Sequence, residues 1–355
     1  MVPEAVCDLL FTSGTTGKPK GVKSGHGQCL RAFSEYVRVI GLVPQDRYLI
    51  VNPFFHAFGY KAGWLTCLIA GATILPHAVF DAEAVFQRIA RERISVLPGA
   101  PTLYLSLLAH PRLGETDLSS LRIAVTGSAS IPPSLIERMR NELGFSCVTT
   151  AYGLSECGGL ATLCDPQDSA EVIAGTSGRP LAGTEVSIRD PHNQALATGQ
   201  TGEICLRGFH VMQGYFENPE ATAEAIDPQG WLHTGDVGHL DAAGNLIITD
   251  RLKDLFIVGG FNCYPAEIEA MLIAHPAIAQ VAVVGIADER MGEVGCACVV
   301  LREGAQLQEQ ELIGWSRERM ANYKVPRQVR FMSALPLNPS AKVAKNELRA
   351  LVAQG

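Results

Sequence analysis

The chain has 355 residues, of which 47% are hydrophobic and 18% charged, and its formal net charge at pH 7 is −7. This length exceeds that of a typical single domain and predicts at least two folded units, and the apolar content excludes a disordered chain. The acidic balance argues against a general nucleic-acid binder.

The first predicted feature is a polar loop that follows the apolar run 9–11. Thr12–Gly21 reads TSGTTGKPKG and holds three glycines, four hydroxyls and two lysines. Glycines let a backbone approach phosphate oxygens, while hydroxyls and ammonium groups supply donors and charge. The composition therefore predicts a triphosphate-binding loop, placed between two strands; an ordinary solvated turn would not explain this density of donors. A Walker P-loop is excluded, because two residues separate Gly14 from Gly17 and Pro19 follows Lys18.

The next part of the chain alternates short apolar runs with helix-like segments. Asp81 is placed to cap one predicted helix, and Pro133 opens another that ends near Leu143. The predicted strands are 48–52, 72–75, 94–97, 123–126 and 146–150. This alternation predicts a mainly parallel α/β sheet over residues 1–182.

The pattern changes twice toward the C-terminus. Residues 183–252 contain short β-rich runs, such as 185–189 and 203–207, which predict a small barrel-like or antiparallel subdomain. Residues 253–355 combine predicted helices at 266–274 and 309–320 with predicted strands at 280–284 and 295–301. We therefore expect a core of residues 1–252 and a separate α+β domain after a hinge at Lys253.

The cysteines and the N-terminus bear on the cellular location. The ten cysteines include no Cys-x-x-Cys pair, so neither a zinc-ligand spacing nor a thioredoxin motif is present. We expect most of them to be reduced in a cytoplasmic protein. The first residues lack a signal-peptide pattern, and apolar stretches such as 63–69 are too short to span a membrane.

Several short motifs carry candidate chemistry. Tyr152–Glu156 reads YGLSE: the tyrosine can stack on a base, Gly153 leaves room for a ligand, and Glu156 is a hard oxygen ligand suited to Mg²⁺. Asp236 follows a Thr-Gly turn and can accept hydrogen bonds from ribose hydroxyls. Taken alone, neither motif is a more specific sign of function than an ordinary turn.

The remaining candidates lie around the predicted hinge and near the C-terminus. Arg251 is interpreted as a nucleotide contact and Lys253 as a pivot, although a solvated linker with surface ion pairs has the same composition. Gly259 and Gly260 allow close approach to the backbone. Lys342 is a single lysine on a polar loop, a type of residue that is usually a surface charge.

The order of these motifs resembles that of the adenylate-forming superfamily, which includes acyl-CoA synthetases, luciferases and peptide-synthetase adenylation domains. The resemblance covers nearly the whole chain and adds His56 in PFFH and the Gly178-Arg179-Pro180 motif. Residues 256–267 are similar to the coenzyme A loop of acid–CoA ligases. The resemblance implies the α/β fold of that superfamily: a large N-terminal α/β domain, a small β-barrel-like subdomain, a hinge and a small C-terminal α+β domain.

The resemblance also implies ATP, Mg²⁺ and coenzyme A as ligands, and it assigns roles to individual residues. Thr16 and Glu156 would position Mg²⁺, Asp236 and Arg251 would hold the ribose, and Lys342 would bridge the attacking carboxylate and the α-phosphate. His56 would act as a gate near the carboxylate, although a histidine in an aromatic cluster is equally ordinary. Ser155 keeps the hydroxyl of the commoner threonine. The implied nucleotide and coenzyme A contacts are Thr12, Ser13, Gly14, Thr15, Thr16, Gly17, Lys18, Lys20, Ser128, Ala129, Ser130, Tyr152, Gly153, Ser155, Asp236, Arg251, Gly259 and Gly260.

Two departures from the family pattern matter. Members normally carry a substantial region before the phosphate loop, so the chain is interpreted as truncated and its N-terminal domain as incomplete. Ala341 stands where glycine usually precedes the lysine. The leading hypothesis is an ATP-dependent acid–CoA ligase; the alternatives are a domain that loads a carrier protein and a truncated, non-catalytic nucleotide-binding protein. No nucleic-acid or membrane partner is expected, and a homo-oligomer is allowed.

The acid itself is only broadly defined by the sequence. The residues expected near the pocket are small or apolar and favour a hydrophobic acyl group, whether fatty, aromatic or steroid-derived; they are Tyr60, Trp64, Gly153, Cys157, Gly158, Gly159 and Leu160. The 258–264 loop is similar to that of steroid-degradation ligases and favours a bulky alicyclic acid.

Overall fold

The computed structural model describes residues 2–12, 19–127, 131–337 and 343–353. The chain folds as two compact units, which are described separately. The first comprises Met1–Thr234 and His239–Ile248, and the second comprises Gly235–Gly238 and Thr249–Gly355. Lys253 lies within the second unit, and its role as a hinge stays a prediction.

The α/β part of the first unit begins with a hairpin and continues with alternating strands and helices. Its strands are β1 (Val6–Thr12), β2 (Lys20–Gly25), β3 (Arg47–Ile50), β4 (Thr73–Pro76), β5 (Ile123–Thr126), β6 (Cys147–Tyr152), β7 (Thr162–Leu163) and β8 (Arg179–Pro180). Its helices are α1 (His26–Ile40), α2 (Ala57–Gly59), α3 (Thr66–Ala70), α4 (Ala82–Glu92), α5 (Pro101–Leu108), α6 (Pro133–Asn141) and α7 (Ala170–Gly175).

The predicted parallel sheet is present. β3 pairs with β4 and β5 with β6, each in parallel, and Val96 bridges Tyr48 and Ile123 between them. The run 94–97 lies between β3 and β5 as predicted, with Leu49 N donating to Val96 O and Leu97 N donating to Ile123 O, although Val96 is its only bridging residue. β7 and β8 extend the sheet in antiparallel fashion. The predicted cap of α4 is confirmed, since Ala84 N donates to Asp81 Oδ1 at 2.8 Å.

Two apolar clusters cover the two faces of this sheet. One gathers side chains of α4, α5, α6 and α7, such as Phe86 and Tyr104, and the other gathers α1 and α3, with Phe33 and Tyr36. Helices on both faces are typical of doubly wound α/β folds, in which ligands bind outside the carboxyl ends of the strands. That edge is where β5 ends at Thr126 and β6 at Tyr152.

The predicted β-rich region forms a sheet in the order β12-β11-β10-β9. Its elements are β9 (Thr184–Arg189), β10 (Gly202–Gly208), β11 (Leu232–Leu240) and β12 (Leu246–Arg251), with α8 (Pro219–Ala225) between β10 and β11. Side chains of this sheet share an apolar cluster with Tyr152, Cys157 and Tyr215.

The second unit is a small α+β structure. Its elements are β13 (Phe256–Val258), β14 (Phe261–Cys263), α9 (Pro265–Leu272), β15 (Ile278–Asp288), β16 (Gly292–Leu301), α10 (Glu309–Arg317), β17 (Gln328–Phe331) and α11 (Lys345–Ala353). The sheet order is β14-β13-β16-β15, with β17 parallel to β16. No helix in the described parts of either unit combines the length and apolarity needed to cross a bilayer.

Candidate functional site

A hairpin places the two ends of the predicted phosphate loop side by side. β1 and β2 are antiparallel, with Thr12 opposite Lys20, as the sequence predicts for a loop between two strands. The residues between them, Ser13, Gly14, Thr15, Thr16, Gly17 and Lys18, lie outside the described residues. Their contacts with phosphates and metal therefore stay predictions.

A fully buried lysine contacts both strands of this hairpin. The side chain of Lys61 has no exposed surface, and its Nζ donates to Ser24 Oγ of β2 at 2.8 Å and lies 3.4 Å from Asp8 Oδ1 of β1. Lys61 belongs to a turn of π-helix over Tyr60–Leu65, a distortion frequent near functional sites. Sequence reasoning missed this anchor, although a single lysine within the apolar stretch 57–70 is itself a signal of a paired buried charge.

Replacing Lys61 with methionine is expected to destabilise the first unit by about 3 kcal/mol. The methionine keeps the volume but leaves the largely buried Asp8 carboxylate and the Ser24 hydroxyl without their cation. Urea denaturation of both proteins measures the difference. Lys23→Met, in the same hairpin at a half-exposed position, is the matched control and should cost less than about 1 kcal/mol. Equal stability of the two variants would show that Lys61 does not anchor the hairpin.

Glu156 and Lys20 meet at one tyrosine. Tyr215 Oη donates to Glu156 Oε1 at 2.9 Å, and Lys20 Nζ lies 5.0 Å from the centre of the Tyr215 ring. Burial and the neighbouring Glu156 carboxylate raise the pKa of Tyr215, so its hydroxyl stays a donor. The loop's last lysine and the predicted metal ligand thus share a partner that the sequence did not reveal.

An open cleft is lined by Ser155, the neighbour of Glu156 along the chain, and holds about 620 Å³ of space that includes open solvent. Most of its lining side chains are apolar, but polar and apolar groups contribute comparably to its exposed wall. The apolar lining includes Phe33, Phe58, Ala62, Val125, Ala151 and Leu160, and the polar lining is Tyr36, His56, Thr126 and Ser155. Thr126 is 2% exposed, and its Oγ1 has no hydrogen-bond partner within the described ranges. A buried hydroxyl without a partner beside a cleft fits a ligand that supplies one.

His56 lines this cleft and also caps a short helix. Phe58 N donates to His56 Nδ1 at 3.2 Å, which leaves Nε2 as the protonated nitrogen of the neutral ring. The side chain is exposed. This geometry is compatible with the predicted gate role, which stays a prediction.

The residues expected near the pocket differ in their surroundings. A Cβ on Gly153 would lie 2.3 Å from Gly159 O, so the packing of the chain itself requires this glycine, and its predicted role toward a ligand stays a prediction. Tyr60 and Trp64 stack on each other with ring centres 5.3 Å apart, and Cys157 is fully buried beneath the surface. Gly153, Gly159 and Leu160 do line the cleft.

Tyr152 is only 8% exposed and lies in the apolar cluster shared with the β-rich sheet. Its predicted role as an adenine platform stays a prediction. Ser128, Ala129 and Ser130, the other predicted adenine contacts, lie outside the described residues. They follow Thr126 at the carboxyl end of β5, the edge at which α/β sheets bind ligands.

The second unit holds the predicted ribose pair. Arg251 Nε lies 2.9 Å from Asp236 Oδ1, with the carboxylate buried and the guanidinium about half exposed. Next to them Asp250 is buried, and its Oδ2 accepts from Ala266 N of α9 at 2.7 Å. Burial raises the pKa of Asp250, although the hydrogen bonds that its carboxylate accepts from the backbone N–H groups of Ala266 and Arg251 act to lower it. The charged side chains of Asp236, Asp250 and Arg251 are therefore partly packed into the folded unit, and this segment is not wholly a solvated linker.

The other predicted groups of the second unit lie on turns. Gly259 and Gly260 form the turn between β13 and β14 at φ of +55° and +88°, which favours glycine. The carbonyl of the exposed Lys253 accepts from Arg349 Nη2 at 3.4 Å. Lys342 lies outside the described residues, as does Ala341. The ends of its segment are held by an antiparallel bridge between Leu337 and Val343.

Comparison with known proteins shows matches to two family models. Residues 1–216 match the model of the AMP-binding enzyme family, and residues 267–342 match the AMP-binding enzyme C-terminal domain. The chain is 52% identical over 351 residues to 3-[(3aS,4S,7aS)-7a-methyl-1,5-dioxo-octahydro-1H-inden-4-yl]propanoyl:CoA ligase of Mycobacterium tuberculosis, covering 99% of this chain and 67% of that protein. A ligase of the same name from Rhodococcus jostii is 51% identical over 98% of this chain and 65% of its own length.

A solved structure is also similar. ATP-bound MatB from Rhodopseudomonas palustris superposes with a TM-score of 0.91 at 31% identity, covering 99% of this chain and 69% of that one. The chain thus spans about two thirds of the length of the proteins it matches.

Proposed function

The chain belongs to the AMP-binding enzyme family, and we propose that it is an ATP-dependent acid–CoA ligase. The predicted family and the predicted adenylate-forming fold are confirmed by these matches. The observation that most supports the activity is the meeting of Lys20 and Glu156 at Tyr215, next to a cleft lined by both apolar and polar side chains. A triphosphate loop, a metal-binding carboxylate and a site for a hydrophobic acid are what such a reaction needs together.

In the first half-reaction a carboxylate oxygen of the acid attacks the α-phosphorus of ATP, and pyrophosphate leaves with the electrons of the broken P–O bond. The step needs alignment and charge neutralisation more than a general base. Lys20 lies at the end of the loop proposed to hold the leaving phosphates, and Lys342 is proposed to stabilise charge at the α-phosphate. The cleft is proposed to hold the acid.

The residues present fit a bound Mg²⁺. The Glu156 carboxylate is half-buried and is oriented by Tyr215, and a carboxylate so held is the hard oxygen ligand that Mg²⁺ prefers. Glu156 and the predicted partner Thr16 would hold the ion. When bound, Mg²⁺ would neutralise charge on the phosphates.

In the second half-reaction the thiol of coenzyme A attacks the acyl carbon, and AMP leaves with the oxygen that came from the acid. We propose that the second unit turns about Lys253 between the two steps, removing Lys342 and presenting the Gly259-Gly260 turn to the thiol arm. This is a hinge motion that lets one site serve two reactions. Asp236 and Arg251 are proposed to hold the ribose, because a buried carboxylate and a guanidinium accept and donate hydrogen bonds.

The acid is proposed to be hydrophobic and bulky, with at least one polar oxygen. The cleft supplies the apolar wall, and the relatives named above act on a two-ring dioxo propanoyl group. The unpartnered hydroxyl of Thr126 is suited to donate to such a ring oxygen. Fatty acids and aromatic acids are the other substrate classes with which such an acid is to be compared.

Replacing Thr126 with valine is expected to raise the KM for an oxo-substituted acid about 10-fold while leaving that for an all-carbon ring acid unchanged. The two side chains have the same shape, so only the hydrogen bond is lost, and such a bond contributes about 1 kcal/mol or somewhat more. Steady-state kinetics with the two acids measures the difference.

Thr149→Val is the matched control for this experiment. Thr149 is buried on the neighbouring strand, and its Oγ1 donates to Cys164 O at 2.8 Å, so this variant should lose stability without a change in either KM. An equal rise in KM for both acids in Thr126→Val would contradict a specific hydrogen bond.

The activity is tested by incubating the chain with ATP, Mg²⁺ and a panel of acids, with and without coenzyme A. AMP formation that requires both acid and coenzyme A supports the ligase. Turnover with a phosphopantetheine-loaded carrier protein in place of coenzyme A would identify a carrier-loading domain. ATP binding without pyrophosphate release would identify a non-catalytic nucleotide-binding protein and overturn the proposal.

We also propose a cytoplasmic location. All ten cysteines, each within the described residues, are free thiols. Free thiols are typical of proteins kept in a reducing compartment.

A further inference from the structure

Two cysteines approach each other at the base of the hairpin that carries the predicted phosphate loop. Cys7 Sγ of β1 lies 3.6 Å from Cys29 Sγ, which is in the first turns of α1. Cys29 is 3% exposed, whereas Cys7 is half-buried and can be reached by a small reagent. The proposed ligase reaction uses neither thiol.

The local backbone gives Cys7 freedom to move. The pairing of β1 with β2 shifts between Val6 and Asp8, so Cys7 is the extra residue of a β-bulge. A bulged residue lies outside the regular ladder, and its side chain can be redirected. A disulfide needs an S–S distance near 2.05 Å, so the two sulfur atoms must approach by about 1.5 Å.

A carboxylate and a cation are already in place beside the two thiols. Asp8 Oδ2 accepts from Cys7 Sγ at 3.2 Å and from Cys29 Sγ at 3.8 Å, while Asp8 Oδ1 faces Lys61 Nζ. Burial raises the pKa of both thiols, and the Lys61 charge opposes that rise at Cys29. The Asp8 carboxylate can accept a thiol proton, and the Lys61 ammonium is the neighbouring charge that favours the Cys29 thiolate.

From this arrangement we infer that Cys7 and Cys29 are a thiol–disulfide site that ties the phosphate-loop hairpin to α1 when the protein meets a peroxide. The bond would close a loop over residues 7–29, which contains all of the predicted phosphate loop. The inference concerns a covalent modification and does not depend on the ligase proposal.

The chemistry balances with a peroxide as the oxidant. The Cys7 thiol loses its proton, its sulfur attacks one peroxide oxygen, and the O–O bond breaks to give a sulfenic acid and water. The Cys29 sulfur then attacks the sulfenic sulfur, the S–O bond breaks, and the hydroxide that leaves takes the Cys29 proton as a second water. Two thiols are oxidised and one peroxide is reduced to two waters.

A metal site is the weaker interpretation of the same side chains. Cys7, Asp8 and Cys29 do offer three ligand atoms close together. However, the Lys61 ammonium already lies 3.4 Å from Asp8 Oδ1 and would repel a divalent cation.

The test treats the chain with hydrogen peroxide, blocks remaining thiols with an alkylating reagent and maps the peptides by mass spectrometry. The expected result is one linked peptide pair, Cys7 with Cys29, two hydrogens lighter than the reduced pair and released by dithiothreitol. The oxidised protein should melt about 5 °C higher than the reduced one, because the cross-link restricts the unfolded chain. Cys7→Ser and Cys29→Ser should each abolish both effects, and Cys147→Ser should abolish neither.

A second pair of neighbouring cysteines in the chain serves as an internal control for this experiment. Cys296 and Cys298 lie two apart on β16, on one face of the strand and fully buried, so they should stay reduced under the same treatment. Oxidation of Cys7 to a sulfinic acid with Cys29 left free would overturn the inference. Recovery of one equivalent of zinc with both thiols protected would overturn it in favour of the metal site. Peptide mapping of the unmutated chain decides the matter even if a serine variant fails to fold.

Discussion

Lys342→Ala is expected to lower acid-dependent pyrophosphate exchange by about 10²-fold or more. The lysine is proposed to bridge the attacking carboxylate and the α-phosphate, and removal of one such transition-state donor typically costs this factor. Conversion of a chemically supplied acyl-adenylate into the thioester should continue at the rate of the unmutated chain. The two half-reactions are measured separately, by isotope exchange and by thioester formation.

Lys345→Ala is the matched control for this variant. Lys345 lies at the start of α11, and its Nζ is 2.8 Å from Glu269 Oε1, so it makes a contact within the second unit. Its loss should reduce stability slightly and leave exchange within about 2-fold, because a partly exposed ion pair contributes little. Unchanged exchange in Lys342→Ala, or an equal loss in both variants, would contradict the assignment of Lys342.

Glu156→Gln is expected to lower adenylation about 10²-fold and to raise the Mg²⁺ concentration needed for half-maximal rate. Glutamine keeps the size and can still accept from Tyr215, but its neutral oxygen is a far weaker ligand for a hard cation. Titration of pyrophosphate exchange with MgCl2 at saturating ATP measures both effects.

Tyr215→Phe separates orientation from charge in the same group. It removes the hydrogen bond to Glu156 and keeps the carboxylate, so we expect a loss of about 10-fold and a smaller shift in the Mg²⁺ requirement. Glu171→Gln, at an exposed position of α7, should change nothing. An unaltered Mg²⁺ dependence in Glu156→Gln would show that Glu156 does not hold the metal.

The local pattern of the sequence predicted most elements of the sheet, because these elements are set by short-range signals. Asp81 and Pro133 mark helix starts that depend only on neighbouring backbone groups, and both occur as expected. The run 94–97 lies in the sheet as expected, and Val96 is the residue that bridges its two neighbouring strands. Helix α1 was missed, since its start lies directly after β2 with no side-chain cap at Gly25.

The candidate site residues were predicted from the order of the motifs. Residues that lie outside those motifs were missed. Tyr215 reaches Glu156 across a separation of 59 residues along the chain, and Lys61 reaches Ser24 across 37. Such contacts depend on tertiary packing and leave no local signal. The packing reason for Gly153 was missed for the same cause, because Gly159 approaches it only in the folded chain.

The transfer of an oxygen label tests the central claim most directly. The chain is given ATP, Mg²⁺, coenzyme A and a bulky alicyclic acid carrying ¹⁸O in both carboxylate positions, and the nucleotide product is analysed by mass spectrometry. Carboxylate attack on the α-phosphate followed by thiolysis predicts one ¹⁸O in each AMP and one in each thioester. Release of unlabelled AMP, or of ADP, would contradict acyl-adenylate formation.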